Sequence, residues 1–245
     1  MSRKVRSDKG VVAPSAHSRE RSDGRRGEGH RRGAASRQRI LSAGLDVFGK
    51  YGFDGATTRM LAQKAGVNLA AIAYYFGGKK GLYRAIAEHV GAQMRQMMTP
   101  ALDQGDFSGD GDAAYALERL DTVLEVFASI VIASDEADKW ARFIMREQMD
   151  PSEAFDILYD GVIKHFHGRC AALIGQVTGR PADDPETLLK TFTIIGQILV
   201  FRTTRAVVLR RLGWDDFSKD HLDAIVKLVQ AHVRAIVVPQ QESKT

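Results

Sequence analysis

The chain has 245 residues, 44% hydrophobic and 27% charged, with a formal net charge of +5 and one cysteine. Those proportions suit one large globular unit or two modest ones, and they exclude a disulfide framework or a multi-cysteine zinc site. The longest uncharged run, Ala65–Gly78, is too short to span a bilayer, and no apolar segment follows the N-terminal charges. No membrane anchor or secretory signal is expected, and a cytoplasmic setting is.

Charge is unevenly spread. Residues 1–33 hold ten basic and four acidic side chains, and residues 34–80 hold seven and two. The first third therefore carries +11 and the remainder −6. A positive end on a mildly acidic body points to a module that binds a polyanion, either nucleic acid or an anionic membrane surface.

Residues 1–33 are rich in Arg, Ser and Gly, with Val11-Val12 the only apolar pair, which predicts a disordered basic tail. Helical periodicity starts near Ala34. Ile40, Leu41, Gly44, Val47, Phe48 and Tyr51 share a face, and Gly52 stops that helix. Thr57-Thr58 caps a short helix bearing Met60, Leu61, Ala62 and Ala65, which Gly66 ends; Asn68 caps a third helix through Phe76. After Gly77-Gly78, Lys79 opens a longer helix with Leu82, Ile86 and Val90 on one face.

Asp103–Asp112 reads as a loop. Asp106, Ser108, Asp110 and Gly111 are spaced like the start of a calcium loop, but the twelfth position is Leu117 rather than a bidentate glutamate. A solvated acidic loop is the expectation. Beyond it only helices are predicted. Val123 to Val131 forms one stripe, Trp140, Phe143 and Ile144 a second, and a long helix runs from Asp150-Pro151-Ser152 to Val177. Thr191–Phe201 is apolar nearly all round, and Leu222 to Val237 forms the last stripe. The fold class is all-α, with about nine helices.

The three short helices carry the sharpest signal. A helix-turn-helix needs a small residue where its helices cross, a residue tolerant of positive φ at the turn, and an apolar residue facing inward from the second helix. Ala62, Gly66 and Ile72 supply these in turn. Any pair of amphipathic helices with a glycine cap shares part of that pattern, but the surrounding basic excess favours the DNA-binding version.

The run TTRMLAQKAGVNLAAIAYYFGGKKGLY, Thr57 to Tyr83, resembles the DNA-binding domain of TetR/AcrR-type transcriptional regulators, and the likeness extends back to about Arg39. REQMDPSEAFDILYDGVI, Arg146 to Ile163, and FRTTRAVVLRRLGW, Phe201 to Trp214, resemble the C-terminal domain of the CerR-type, YbiH-like branch. Beyond the tail over 1–33 that composition predicts to be disordered, the resemblance implies a helix-turn-helix domain over 34–83 and a helical effector-binding and dimerisation domain over 84–240. It further implies a homodimer that binds a palindromic double-stranded DNA operator and answers to a small-molecule effector, with no cofactor, metal or catalytic residue.

Carried over by position, Asn68, Leu69, Ala70 and Ala71 fall where base edges are read. Their small and apolar side chains suit thymine methyls better than hydrogen-bonded readout. Tyr74, Tyr75 and Lys79 fall at phosphate contacts, as do Thr58 and Arg59 at the start of the second helix; core packing is expected to claim one of the two tyrosines. Many family members have tyrosine where this chain has Ala73. An effector pocket is expected among Phe127, Phe143, Tyr159 and Phe166. Arg202 and Arg205, in a largely apolar helix, are candidates for an anionic ligand, although an interface or solvent accounts for them as well. His165 and His167 cannot share a helix face as a metal pair, and Cys170 sits on an apolar stripe as a core thiol. A helical-bundle enzyme lacks an acid/base pair, and a membrane-surface scaffold leaves the helix-turn-helix spacing unexplained.

Overall fold

The computed structural model describes residues 17–103 and 112–238, and no strand occurs among them. Helix α1 (His17–Gly55) is broken near its end by Gly52, whose φ of 72° takes it out of helical geometry where the sequence predicts the stop. Of two short helices, α2 (Thr58–Ala65) packs on α1, and α3 (Leu69–Phe76) packs on α2 and on the following α4 (Lys79–Leu102). The body comprises α5 (Ala113–Ala128), α6 (Asp135–Met149), α7 (Glu153–Leu158), α8 (Lys164–Thr178), α9 (Pro185–Thr203), α10 (Arg205–Leu212) and α11 (Lys219–Val237). Two π-helical turns, Ser129–Ala133 and Tyr159–Ile163, follow α5 and α7 directly.

Three expectations are corrected. The basic tail is not irregular throughout: the backbone is helical from His17, as a continuous extension of α1. Lengthening a helix that already exists needs no new nucleus, so weak formers can be carried along. Residues 1–16 lie outside the described residues, as does the calcium-like spacing at Asp106–Gly111. The long helix read from Asp150 to Val177 is instead α7, a π turn and α8. The apolar helix ending near Phe201 breaks at Thr204, which starts α10 as a separate element.

Helix α4 joins the two halves. Its first turns bury Leu82, Tyr83 and Ile86 against Ile40 and Phe48 of α1, and its last turns bury Met98 and Leu102 in the body. The body core is built from Leu120 and Leu124 of α5, Leu173 and Ile174 of α8, Ile194 and Ile198 of α9, and Val229 and Val233 of α11. Cys170 is wholly buried there, and desolvation pushes its thiol pKa up to about 12. No single helix among the described residues is long and apolar enough to cross a membrane.

Candidate functional site

The helix-turn-helix is held by local chemistry that the sequence announces. The Thr57 hydroxyl accepts from the Met60 amide at 3.2 Å and starts α2. Gly66 ends α2 at φ 62°, with its amide donating to the Gln63 carbonyl and the Val67 amide to that of Ala62. Those two bonds close the last turn and set the sharp corner to α3, a conformation a side chain at position 66 would strain. Asn68 then caps α3, its Oδ1 accepting from the Ala70 amide at 3.0 Å.

On α3 only Ile72 is buried. Leu69, Ala70, Ala73 and Tyr74 form the outward face at i, i+1, i+4 and i+5, with Tyr74 82% exposed. Ala71 and Tyr75 instead turn partly into the core, so the two tyrosines divide as expected between surface and packing. Their rings meet edge to face at 4.9 Å. Thr58 is half-buried and Arg59 exposed at the start of α2. Lys79 opens α4, but its ammonium lies over the Phe53 ring at 4.4 Å, so a cation–π contact already engages it. Asn68 likewise has its oxygen committed to the cap, which makes it first a structural residue.

One residue the sequence reading passed over shapes this module. A Cβ on Gly81 would lie 1.7 Å from the Phe76 carbonyl oxygen, so only glycine lets α3 approach α4 this closely. An isolated glycine inside a predicted helix was the available signal.

The head is clamped to the body by α6 and α7. Buried Glu147 accepts hydrogen bonds from the Tyr83 hydroxyl of α4, from the Ser152 amide at 3.2 Å and from the Ser152 hydroxyl at 2.8 Å. Burial, and then the Glu147 carboxyl group, raise the Tyr83 pKa well above its ordinary value. The Tyr83 ring packs on Phe48 at 4.8 Å and on Phe53 and Phe143 at 5.0 Å each. Outside this core Glu153 pairs with Lys80 at 3.2 Å and with Arg84, and the Arg146 guanidinium donates to the Lys50 carbonyl at 3.3 Å.

The opposite face of α6 walls a cavity of about 130 Å³. Trp140, Ala141 and Ile144 come from α6, Phe127 from α5, and Phe166 and His167 from α8. Both π turns contribute to the lining, through Ile130 and Val131 and through Val162 and Ile163. Burial lowers the His167 pKa, which favours the neutral ring. Of the expected pocket residues, Phe127, Phe166 and Arg202 line the cavity, but Phe143 and Tyr159 do not. Phe143 is fully buried on the head side of α6, and Tyr159 is exposed and stacks on Phe155 at 5.9 Å.

Helix α9 shows a second unsatisfied surface. Leu189 and Phe192 are 68% and 61% exposed, and Val200 and, on α11, Leu228 are also exposed. Ile195 and Leu199, the positions on this helix that its all-round apolarity puts forward for an interface, both line the cavity instead, Ile195 buried and Leu199 partly exposed.

A helix-turn-helix head joined through α4, α6 and α7 to a helical body with its own cavity defines the architecture of a DNA-binding regulator. Residues 40–86 match the profile for bacterial regulatory proteins of the tetR family, and residues 116–238 match the C-terminal domain of the HTH-type transcriptional dual regulator CecR. The CecR protein of Shigella flexneri is 31% identical over 210 residues, 84% of this chain and 93% of that protein. The chain belongs to the TetR family of transcriptional regulators, with a CecR-type C-terminal domain. The Bacillus subtilis regulator FadR, in complex with stearoyl-CoA, shares the fold at a TM-score of 0.54 and 17% identity, over 83% of this chain and 99% of that one. AibR, in complex with isovaleryl coenzyme A and operator DNA, does so at 0.59 and 13%, over 84% and 100%.

Proposed function

We propose that this regulator is a ligand-released repressor: two copies present paired α3 helices to a two-fold symmetric operator, and an effector in the cavity loosens that grip. The observation that carries this reading is the two-sidedness of α6. Trp140, Ala141 and Ile144 wall the cavity, while Phe143, Arg146 and Glu147 on the other side hold the head. Filling the cavity therefore acts on the element that positions the DNA-binding module, rather than on a remote loop.

Readout is assigned to the exposed face of α3. Leu69, Ala70 and Ala73 carry no hydrogen-bonding side chain, so they suit close approach and thymine methyls, with the Tyr74 hydroxyl reaching an edge or a phosphate. Thr58, Arg59 and, once released from Phe53, Lys79 would fix register on the backbone. The domain limits proposed are a basic extension over 1–33, the head over 34–83 and the body over 84–240. Mainly exposed residues of α9 and α11, Leu189, Phe192 and Leu228 among them, form the dimer face, since a closed two-fold pair is the commonest assembly. Proteins of this fold that hold acyl-coenzyme A ligands support an effector in the body. The protein acts by binding rather than by catalysis, and its place is with the DNA in the cytoplasm.

Selecting bound duplexes from a random pool with the full chain tests this. The expected product is an enriched, two-fold symmetric sequence protected by one dimer. Absence of enrichment, or an asymmetric single half-site, would overturn it.

A further inference from the structure

The cavity has a charged mouth. Ala141, Met145, Arg202 and Thr203 border both the apolar chamber and an outer hollow between α6 and the junction of α9 with α10. Arg142 and Arg205 join Arg202 in that hollow, with Asp138 the acidic residue in its wall. Arg202, with its side chain only 12% exposed, pairs with Asp138, and Arg205 pairs with Asp216. Arg142 is exposed and forms no ion pair among the described residues. One guanidinium is thus in excess even when both carboxylates are counted.

Resting on the cavity as the effector site, we propose that the effector is a short-chain amphiphile: an apolar part of about six carbons in the chamber, carrying a phosphate-bearing head held by Arg142, Arg202 and Arg205. The size follows from the chamber. At about 130 Å³ it compares with the roughly 150 Å³ apolar cavity that takes up one benzene. A longer unbranched chain exceeds that volume and has to extend out of the chamber or open the body. The head follows from the mouth. A guanidinium fork matches carboxylate or phosphate oxygens, and the three acceptor oxygens of a phosphate let the unpaired Arg142 be joined by Arg202 and Arg205 as these exchange Asp138 and Asp216 for the ligand. The partly desolvated setting of Arg202 strengthens any such contact relative to open water. The two π turns that shape the chamber are the kind of local irregularity often found at functional sites.

Trp140 lines the chamber, and the chain has only one other tryptophan, so a Trp214→Phe background makes it the sole reporter. In that full-length protein, fluorescence titration should show hexyl phosphate binding well ahead of hexanol, and dodecyl phosphate more weakly than hexyl phosphate. Arg142→Gln and Arg202→Gln should each weaken hexyl phosphate by about tenfold, as for loss of a hydrogen bond to a charged group, and leave hexanol unchanged. Because Arg142 is exposed, its variant tests the head without disturbing the core. Hexanoyl-CoA distinguishes sources: preference for it over hexyl phosphate supports a nucleotide-bearing head, and the reverse supports a compact one. Hexanol binding as tightly as hexyl phosphate, or arginine variants that bind hexyl phosphate like the parent, would overturn the head and leave the cavity reading intact. No response of Trp140 to hexyl phosphate or hexanol at millimolar concentration would overturn both.

Discussion

Replacing Tyr83 with phenylalanine removes one hydroxyl and nothing else, and the structure sets what that should cost. The ring stays wedged among Phe48, Phe53 and Phe143, so packing is preserved. What is lost is the bond to Glu147, a residue 2% exposed, whose Oε1 then has no donor among the described residues while Oε2 keeps the two bonds from Ser152. A hydrogen bond to a charged group is worth about 1.5–3 kcal/mol, and the penalty falls in that range because the stranded carboxyl oxygen stays buried. For a chain of this length each kcal/mol shifts melting by roughly 2–4 °C, so a fall of roughly 3–12 °C is expected. Differential scanning calorimetry gives that number. Gel-shift titration on a selected operator should show weaker binding in the same variant, because the bond joins the DNA-binding head to α6. Ser152→Ala leaves the Ser152 amide on Oε2 but also removes the α7 cap, in which the Ser152 hydroxyl accepts from the Ala154 amide at 3.1 Å, so its melting shift adds about 0.5–2 kcal/mol of cap loss to the lost Glu147 bond. An unchanged melting temperature and operator affinity in Tyr83→Phe would show that the clamp contributes nothing.

Gly81→Ala should abolish operator binding while the body stays folded by circular dichroism, since the new methyl collides with the Phe76 backbone rather than with a movable side chain. Phe192→Glu with Leu189→Glu should give a monomer in light scattering with its helix content intact, as both residues are mainly exposed in one chain. Asn68→Ala should lower stability by about 0.5–2 kcal/mol through loss of the α3 cap and weaken all DNA sequences together, whereas Tyr74→Ala should leave melting unchanged and weaken the operator. A binding selection repeated on both variants separates the two effects.

The head was legible because its determinants are local. Thr57, Gly66, Asn68 and Gly77 cap or end helices where their side chains and positive φ allow, and each acts within four residues of itself. The body was legible as helices but not as boundaries. A π turn inserts one residue into a turn without ending the apolar run, so Tyr159–Ile163 hid inside an uninterrupted stripe. The pocket was half legible for a related reason. An apolar stripe says that a residue faces something, not what: Phe127 and Phe166 face the cavity, while Phe143, just as apolar, faces the head. Glu147 left a trace, as an acidic residue one turn beyond Phe143 on a buried face. Its partner, Tyr83, is 64 residues away and no spacing rule connects them. The apolar surplus of α9 predicts more than one buried side, whereas a single chain buries only the face of Ile194, Ile195 and Ile198 and leaves Leu189 and Phe192 facing out.

The proposed dimer and the proposed cavity constrain each other quantitatively. Moving a two-state equilibrium from 99:1 to 1:99 requires a differential affinity of about 10⁴, near 5.5 kcal/mol. Coupling free energies for single sites are typically about 1–3 kcal/mol. A chamber of about 130 Å³ takes up too small a ligand to place it far above that range. One filled cavity therefore falls short of switching an operator off, while two, one per subunit, reach the requirement if each supplies about 2.7 kcal/mol. Because α6 in each copy joins its own cavity to its own head, the two contributions meet only through the dimer and the DNA. Operator release should consequently follow the effector with a Hill coefficient above 1, and the operator should weaken effector binding to the dimer by the same overall factor. A monomeric Leu189→Glu, Phe192→Glu variant should retain effector binding, measured by Trp140 fluorescence with hexyl phosphate, with a Hill coefficient of 1. Complete release of the native dimer at one effector per dimer would show that a single cavity suffices and that the coupling is stronger than this geometry supports.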